Sequence, residues 1–163
     1  MAQNKNYVYL ASVILFMLVF PVTCILLDRI FQHADLKWAL VGKWFVFWCV
    51  GVRLFIAGIR QVTKPAFTAK EIFHIQGEES FVVIRELGFA NLSLGFIGML
   101  SFFYPAWCEL TAVAGCLFYG LAGIQHIVKK PVSNNEMIAL ISDILIALLL
   151  ALYLVFTLFK MQD

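Results

Sequence analysis

The chain has 163 residues, of which 63% are hydrophobic and only 13% are charged, whereas an ordinary soluble domain is about 25% charged. Its formal charge of +2 is small and dispersed along the sequence, which argues against a nucleic-acid-binding surface. We therefore expect residues 1–163 to form a single integral membrane domain in contact with the lipid bilayer.

Five apolar stretches are each near the ~20 residues that a helix needs to cross the ~30 Å hydrocarbon core of a bilayer. Backbone groups in lipid must be hydrogen-bonded within their own segment, which leaves helices as the sensible structure. The predicted fold class is all-α, a polytopic membrane helical bundle with five transmembrane helices. The predicted spans are residues 7–27, 38–59, 81–103, 107–128 and 137–159.

The first apolar stretch is longer than a typical signal-peptide core, and no A-x-A cleavage pattern follows it. We interpret it as an uncleaved first span that is closed by Asp28 and Arg29. Pro21 is expected to kink this helix because proline cannot donate a backbone hydrogen bond.

The long connection between the second and third spans contains Thr68-Ala-Lys-Glu71, which fits a helix-capping box. The pattern predicts a short amphipathic helix over residues 69–75 that lies in the membrane interface. Its expected apolar residues are Ile72, Phe73 and Ile75, and its expected polar residues are Lys70, Glu71 and His74. An ordered loop without function is the alternative.

Charged side chains inside the spans are the main functional signal. An ionised group at the centre of a membrane helix costs roughly 2.5–3.5 kcal/mol on insertion scales, so such groups are usually paired or functional. Alternation of the spans places most of these groups near the same end of the bundle. The candidate ligand or ion-network residues are Arg53, Arg85, Glu86, Asn91, Gln125, His126 and Asp143.

The charges in this set balance, so we expect Arg53 and Arg85 to pair with Glu86 and Asp143 in an order that the sequence leaves open. Asn91 lies nearer mid-membrane and is either an interhelical hydrogen-bonding residue or a ligand contact. His126 is either an interfacial residue or a proton relay beside the charges.

Helical phase predicts which faces point inward. In the fourth span small and polar residues share one stripe, which consists of Glu109, Ala112, Cys116, Tyr119, Gly123 and His126. In the third span Gly88, Asn91, Gly95 and Gly98 form one face, and Glu86, Ala90 and Ser93 form another. Faces of small residues allow close helix packing, so we expect neighbours on both sides of the third span and leave open a homodimer through glycines.

Lysine and arginine residues are more frequent at the end that holds the N-terminus and the loops after spans two and four. This bias favours a cytoplasmic N-terminus and an outside C-terminus. The residues at the richer end are Lys5, Arg60, Lys64, Lys70, Lys129 and Lys130, against Arg29, Lys37 and Lys160 at the other end.

The four cysteines form no CxxC motif and show no zinc-site spacing, so we predict no metal site. A disulfide between Cys24 and Cys108 is left open. The sequence contains no serine–histidine pattern, HExxH motif or Gly-rich phosphate loop, so no catalytic residue is predicted.

Three segments resemble a family of small, uncharacterised bacterial inner-membrane proteins that is distantly similar to the DoxX-like group. They are GVRLFIAG at residues 51–58, PAFTAKEIF at residues 65–73 and RELGFANL at residues 85–92. The resemblance implies a compact helical bundle in a bacterial inner membrane. DoxX-like relatives are linked to quinone or thiol redox chemistry, although this chain has no matching cysteine pair and has an additional first span.

Three functions fit these observations. In the first, a polar pocket binds or translocates a small ligand, which is an anion, a proton-coupled solute or a quinone-like molecule. In the second, the chain is an accessory or assembly subunit of a membrane complex, and its charge network only locks helices together. An intramembrane enzyme is the third and least supported. We predict no tightly held cofactor and leave open a bound quinone or lipid.

Overall fold

The computed structural model describes the backbone of residues 2–160 and the side chains of residues 7–157. Lys5 and Lys160, which entered the orientation argument, have side chains outside that range. Five helices are long and apolar enough to cross a membrane, which confirms the all-α prediction and suggests a multi-pass membrane protein. The helices are α1 (residues 2–31, with the apolar segment Tyr7–Phe31), α2 (Trp38–Thr63), α3 (residues 65–72), α4 (Ser80–Leu100), α5 (Trp107–Lys129) and α6 (Asn134–Lys160).

Several helix ends differ from the predicted bounds by three residues or more. Helix α1 begins at Ala2, helix α2 continues to Thr63 and helix α6 begins at Asn134. Helix α1 continues to Phe31 because Asp28 is buried inside it, where its carboxylate accepts hydrogen bonds from Lys43 Nζ at 3.1 Å and Trp44 Nε1 at 2.8 Å. Helix α4 ends at Leu100, and residues 101–103 form a turn instead of its last residues.

The predicted glycine face of α4 packs against α2. A Cβ atom on Gly58 would lie 2.7 Å from the carbonyl oxygen of Gly88, and one on Gly98 would lie 2.6 Å from the Cα of Gly51. The two backbones therefore touch through glycines of both helices, as small residues allow in membrane proteins. This contact occupies the glycine face within one chain, so that face is not available for a homodimer.

The apolar core lies around the middle of α2, which contacts α1, α4, α5 and α6. Val46 and Val50 of α2 are fully buried, as are Ile146 and Leu150 of α6. Gly115 of α5 lies directly against Val50. Helix α2 is thus the central element, and the other spans surround it.

Three segments form the wider π-helical turn: Leu15–Val19 in α1, Val46–Val52 in α2 and Thr68–Ile72 in α3. In α2 the backbone N–H of Arg53 donates to the carbonyl of Trp48, five residues back. The carbonyl of Cys49 instead accepts a hydrogen bond from the hydroxyl of Tyr119 in α5. In α1 the wide turn directly precedes Phe20 and Pro21, where proline removes a helical donor.

Helix α3 begins at Pro65 rather than at residue 69, so the predicted capping box is not used. Proline suits the first helical position because its missing N–H would have no partner there, and Lys64 is the residue that precedes it. Thr68, Ala69 and Ile72 are buried against the bundle, whereas Ile75, which was expected on the apolar side, is exposed. A short helix therefore forms in this connection, and it packs against the bundle through Thr68, Ala69 and the predicted apolar residue Ile72.

A candidate ligand-binding cavity

A cavity of about 430 Å³ lies at the end of the bundle where α3 packs. All six helices contribute to its lining. The lining segments include the first half of α1, the last turns of α2 and α5, and the first turns of α6. Tyr9, Val13, Leu54, Phe67, Ile72, Phe118 and Ala139 are among its mainly apolar lining residues. Its position is the layer in which the sequence predicted the polar residues.

Arg53 and Asp143 form the ion pair of this cavity. Arg53 Nη2 lies 3.3 Å from Asp143 Oδ1 and donates to Ser142 Oγ at 3.1 Å. Their side chains are only 14% and 11% exposed, and the guanidinium lies 5.0 Å from the centre of the Tyr119 ring. A buried charge needs such a partner because desolvation is expensive. This part of the predicted pairing matches the structure.

Three buried polar atoms beside this pair have no hydrogen-bond partner in the described structure. They are Nη1 of Arg53, Oδ1 of Asn91 and Nδ1 of His126, and all three residues line the cavity. The amide of Asn91 does form the expected interhelical bond, since its Nδ2 donates to Gln61 Oε1 at 2.7 Å. Buried polar groups are normally satisfied, so these three atoms are positioned to bond a polar group within the cavity.

The remaining predicted residues divide between the rim of the cavity and the outside of the bundle. Gln125 lines the cavity and is exposed. Arg85 and Glu86 are exposed on α4 and do not line the cavity. Their predicted pairing with the Arg53 cluster is therefore wrong. At 100° per residue, Glu86 and Arg85 point about 140° and 120° away from Asn91 on opposite sides, while Leu87 lies close to the direction of Asn91 and lines the cavity.

Sequence reasoning missed several lining residues. Gln61 shares a face of α2 with Arg53 at a spacing of eight residues, and this spacing could have identified it. Arg60 is exposed, and its guanidinium lies 3.6 Å from the ring centre of Phe67. On α1, Tyr9 and Ser12 also reach the cavity, although nothing in their apolar context marked them. Tyr119 was on the predicted inward stripe of α5, and it is fully buried.

Part of the cavity wall belongs to the side of the bundle. Ile56 and Leu121 both line it, yet they are 44% and 66% exposed. Both lie well inside their spans, roughly 10–12 Å from the Thr63 and Lys129 ends at 1.5 Å per residue. At that depth the wall of the cavity is therefore formed by residues that also lie on the apolar surface of the bundle.

A polar cluster holds the end of α3 against the turn between α5 and α6. The carboxylate of Glu136 is fully buried and lies 3.3 Å from Lys129 Nζ and 3.2 Å from His74 Nε2. It also accepts from the backbone N–H of Val132 at 2.9 Å, and Lys129 Nζ donates to the carbonyl of Phe73 at 2.6 Å. These bonds fix α3 as the cover of the cavity at this end.

Among the residues that the structure describes, no three histidine, cysteine, aspartate or glutamate side chains come together as a metal site. All four cysteines are free. A family model described as a family of unknown function (DUF6790) matches residues 11–162, a range that includes all of α2 to α6. Neither a curated protein nor a solved structure matches the chain significantly.

Proposed function

The chain belongs to DUF6790, a family of unknown function, and we propose that it is a multi-pass membrane protein that binds a small amphipathic ligand in the cavity beside Arg53. The observation that carries this proposal is the group of unpartnered atoms on Arg53, Asn91 and His126 around one cavity. A purely structural network gains most when every buried member is satisfied. A bound polar group would satisfy these three.

The character of the lining narrows the ligand class. Arg53 is neutralised by Asp143, and Arg60 at the rim makes no ion pair with a described residue, so the site carries an excess of positive charge. Its walls are mainly apolar, as in most small-molecule sites. The thin side wall at Ile56 and Leu121, which are both exposed on the apolar surface, favours a ligand that reaches the site from the bilayer. An anion with an apolar tail or a quinone-like molecule with carbonyl acceptors fits this combination.

His126 extends the proposal to translocation. Histidine is a side chain that commonly serves as a proton relay, and the unpartnered Nδ1 of His126 lies on the cavity wall. A proton-coupled solute that passes through the cavity is therefore a second form of the same function.

We place the protein in a bacterial inner membrane with its N-terminus in the cytoplasm and its C-terminus outside. Support comes from the lysine and arginine bias and from the resemblance of residues 51–58, 65–73 and 85–92. In this orientation the cavity lies in the cytoplasmic half of the bilayer.

An accessory or assembly role is the second candidate. The Arg53–Asp143 pair can lock α2 to α6 without any ligand, and one face of α4 carries unpaired charges that a partner could meet. In this case the cavity would remain empty of any specific ligand.

The test compares two amphipathic probes with different head groups. Purified protein in detergent is heated with decanoate, which is anionic, or with decylubiquinone, which is neutral, and the unfolding temperature is measured. A probe at 100 times its dissociation constant stabilises the native state by about 2.7 kcal/mol. We expect at least one probe to raise the unfolding temperature by several degrees and the variant His126→Leu to abolish that rise.

Thr111→Val is the matched control, because Thr111 is a buried polar residue of the same helix whose hydroxyl bonds only to the carbonyl of Trp107. This variant should keep the full response to the probe. No response to either probe, together with strong coupling between Arg53 and Asp143 in a double-mutant cycle, would favour the accessory role instead.

A further inference from the structure

One face of α4 remains uncovered by the chain itself. It lies between Arg85 on one side and Glu86 on the other, and its residues Val82, Phe89, Ser93 and Phe96 are all exposed. The sequence predicted a neighbouring helix on the adjoining residues Glu86, Ala90 and Ser93, which are exposed as well. The opposite face of α4 contacts α2 through Gly88, Gly95 and Gly98, but no described element covers this one.

The charges on this face lie inside the span. Helix α4 begins at Ser80, directly after the polar turn at residues 77–79, so Arg85 and Glu86 lie roughly 7–9 Å from its start at 1.5 Å per residue. Within the described structure neither side chain forms an ion pair or a hydrogen bond with another side chain. Ionisable groups in a transmembrane helix normally pair with one another or face a protein interior.

We propose that a second copy of this chain packs on this face of α4, between Arg85 and Glu86, and that Arg85 of each copy pairs with Glu86 of the other. Two copies in one membrane have the same orientation, so equivalent residues lie at the same depth. Because Arg85 and Glu86 are consecutive, they differ in depth by only about 1.5 Å. A twofold axis parallel to α4 therefore brings each arginine opposite the other copy's glutamate.

The rest of the face suits packing of two helices. Val82, Phe89 and Phe96 are apolar, and the hydroxyl of Ser93 already donates to the carbonyl of Phe89 at 2.9 Å, which leaves no unsatisfied donor in an interface. Van der Waals packing of apolar side chains drives the association of helices in membranes. A second copy is favoured over a different protein because the face carries both members of the ion pair, which makes it self-complementary.

Disulfide cross-linking in membranes tests the contact. In a background with the four native cysteines replaced by alanine, Ser93→Cys should give mostly cross-linked dimer after mild oxidation. The matched control is Leu148→Cys, which lies at a similar depth on the exposed side of α6 and should remain monomeric. Equal cross-linking at both positions, or none at position 93, would overturn the proposal.

Charge reversal tests the pairing itself. Arg85→Glu or Glu86→Arg alone places like charges opposite each other across the axis. We expect each variant to weaken the dimer about tenfold, or about 1.4 kcal/mol, and therefore to lower the cross-linked fraction at position 93. The double variant Arg85→Glu/Glu86→Arg recreates both pairs and should restore cross-linking. If the double variant stays as weak as the single variants, the partner is not a second copy. The test does not depend on the cavity or its ligand, since neither residue lines it.

Discussion

Glu136 shows how one side chain can position a whole segment. Its carboxylate has no exposed surface, and it joins Lys129 at the end of α5 to His74 after α3. The same residue supports its own helix, since its backbone N–H donates to Ser133 Oγ at 3.2 Å. Ser133 thus caps α6 as in a capping box, although the carboxylate of Glu136 bonds to the N–H of Val132 rather than to that of Ser133. The similar pattern at Thr68 lies inside α3.

We expect Glu136→Gln to lower the free energy of unfolding by about 2 kcal/mol, because hydrogen bonds to a charged group contribute about 1.5–3 kcal/mol. Residues 64–75 should also exchange their amide hydrogens faster, since the contacts of Phe73 and His74 weaken. Denaturation in mixed micelles and hydrogen exchange measure the two effects. Glu71→Gln is the control, because Glu71 is exposed. Equal losses of stability and equal amide exchange in the two variants would contradict the role of Glu136 in holding α3.

For single residues, the sequence predicted the depth of a side chain along the bundle better than the side of the helix on which it lies. Arg53, His126 and Asp143 meet in the expected layer because alternating spans bring their depths together. Arg85 and Glu86 share that layer but point away from it, since a helix turns by 100° per residue. Which face of α4 meets α2 depends on the glycines of both helices, and their pairing follows only from the folded structure.

Helix α4 is attached to α2 by backbone contact rather than by interlocking side chains. The predicted face of Gly88, Gly95 and Gly98 is correct in its residues, and its partner is the glycine pair Gly51 and Gly58. The π-helical turns had no sequence signal other than Pro21. In α2 the freed carbonyl of Cys49 bonds to Tyr119, a residue far along the chain, so this turn depends on tertiary structure.

Gly58→Ala should destabilise the protein by about 1–3 kcal/mol, because the added methyl group would overlap the backbone of α4. The nearest atoms are the carbonyl oxygen of Gly88 and the amide nitrogen of Leu92, both at 2.7 Å, and neither can move without shifting the helix. Gly120→Ala is the control, since its new Cβ would meet only Ala147, at 3.9 Å. Thermal unfolding in detergent distinguishes the two, and an equal or larger loss for Gly120→Ala would refute the close contact.

For the whole molecule, alternation of five helices puts the cavity, α3 and the α5–α6 turn at one end. The number and order of the spans were predictable because each apolar run approaches the length of a bilayer-spanning helix. The cavity was not predictable, since it is the space left where α3 covers the ends of the longer helices. The volume of such a cavity depends on how side chains from different helices pack, and no local sequence pattern determines that packing.

Cysteine accessibility should place the two ends of the bundle on opposite sides of the membrane. In a cysteine-free background, Glu78→Cys and Lys130→Cys should react with an impermeant thiol reagent only in inside-out vesicles. Asp35→Cys and Tyr104→Cys should react in intact cells. The expectation follows from the lysine and arginine bias. The reverse labelling would invert the orientation, and labelling of all four positions from one side would argue against five crossings.

Helix α1 has a different part in the cavity from the other spans. The ion pair and the three unpartnered atoms belong to α2, α4, α5 and α6, whereas α1 supplies Tyr9, Ser12, Val13 and Phe16 as one wall. If the cavity binds an amphipathic ligand as proposed, the atoms that contact its head group and the wall beside its tail belong to separate parts of the chain. Larger or smaller side chains on that wall would change which tail lengths fit, while the groups that contact the head stay as they are.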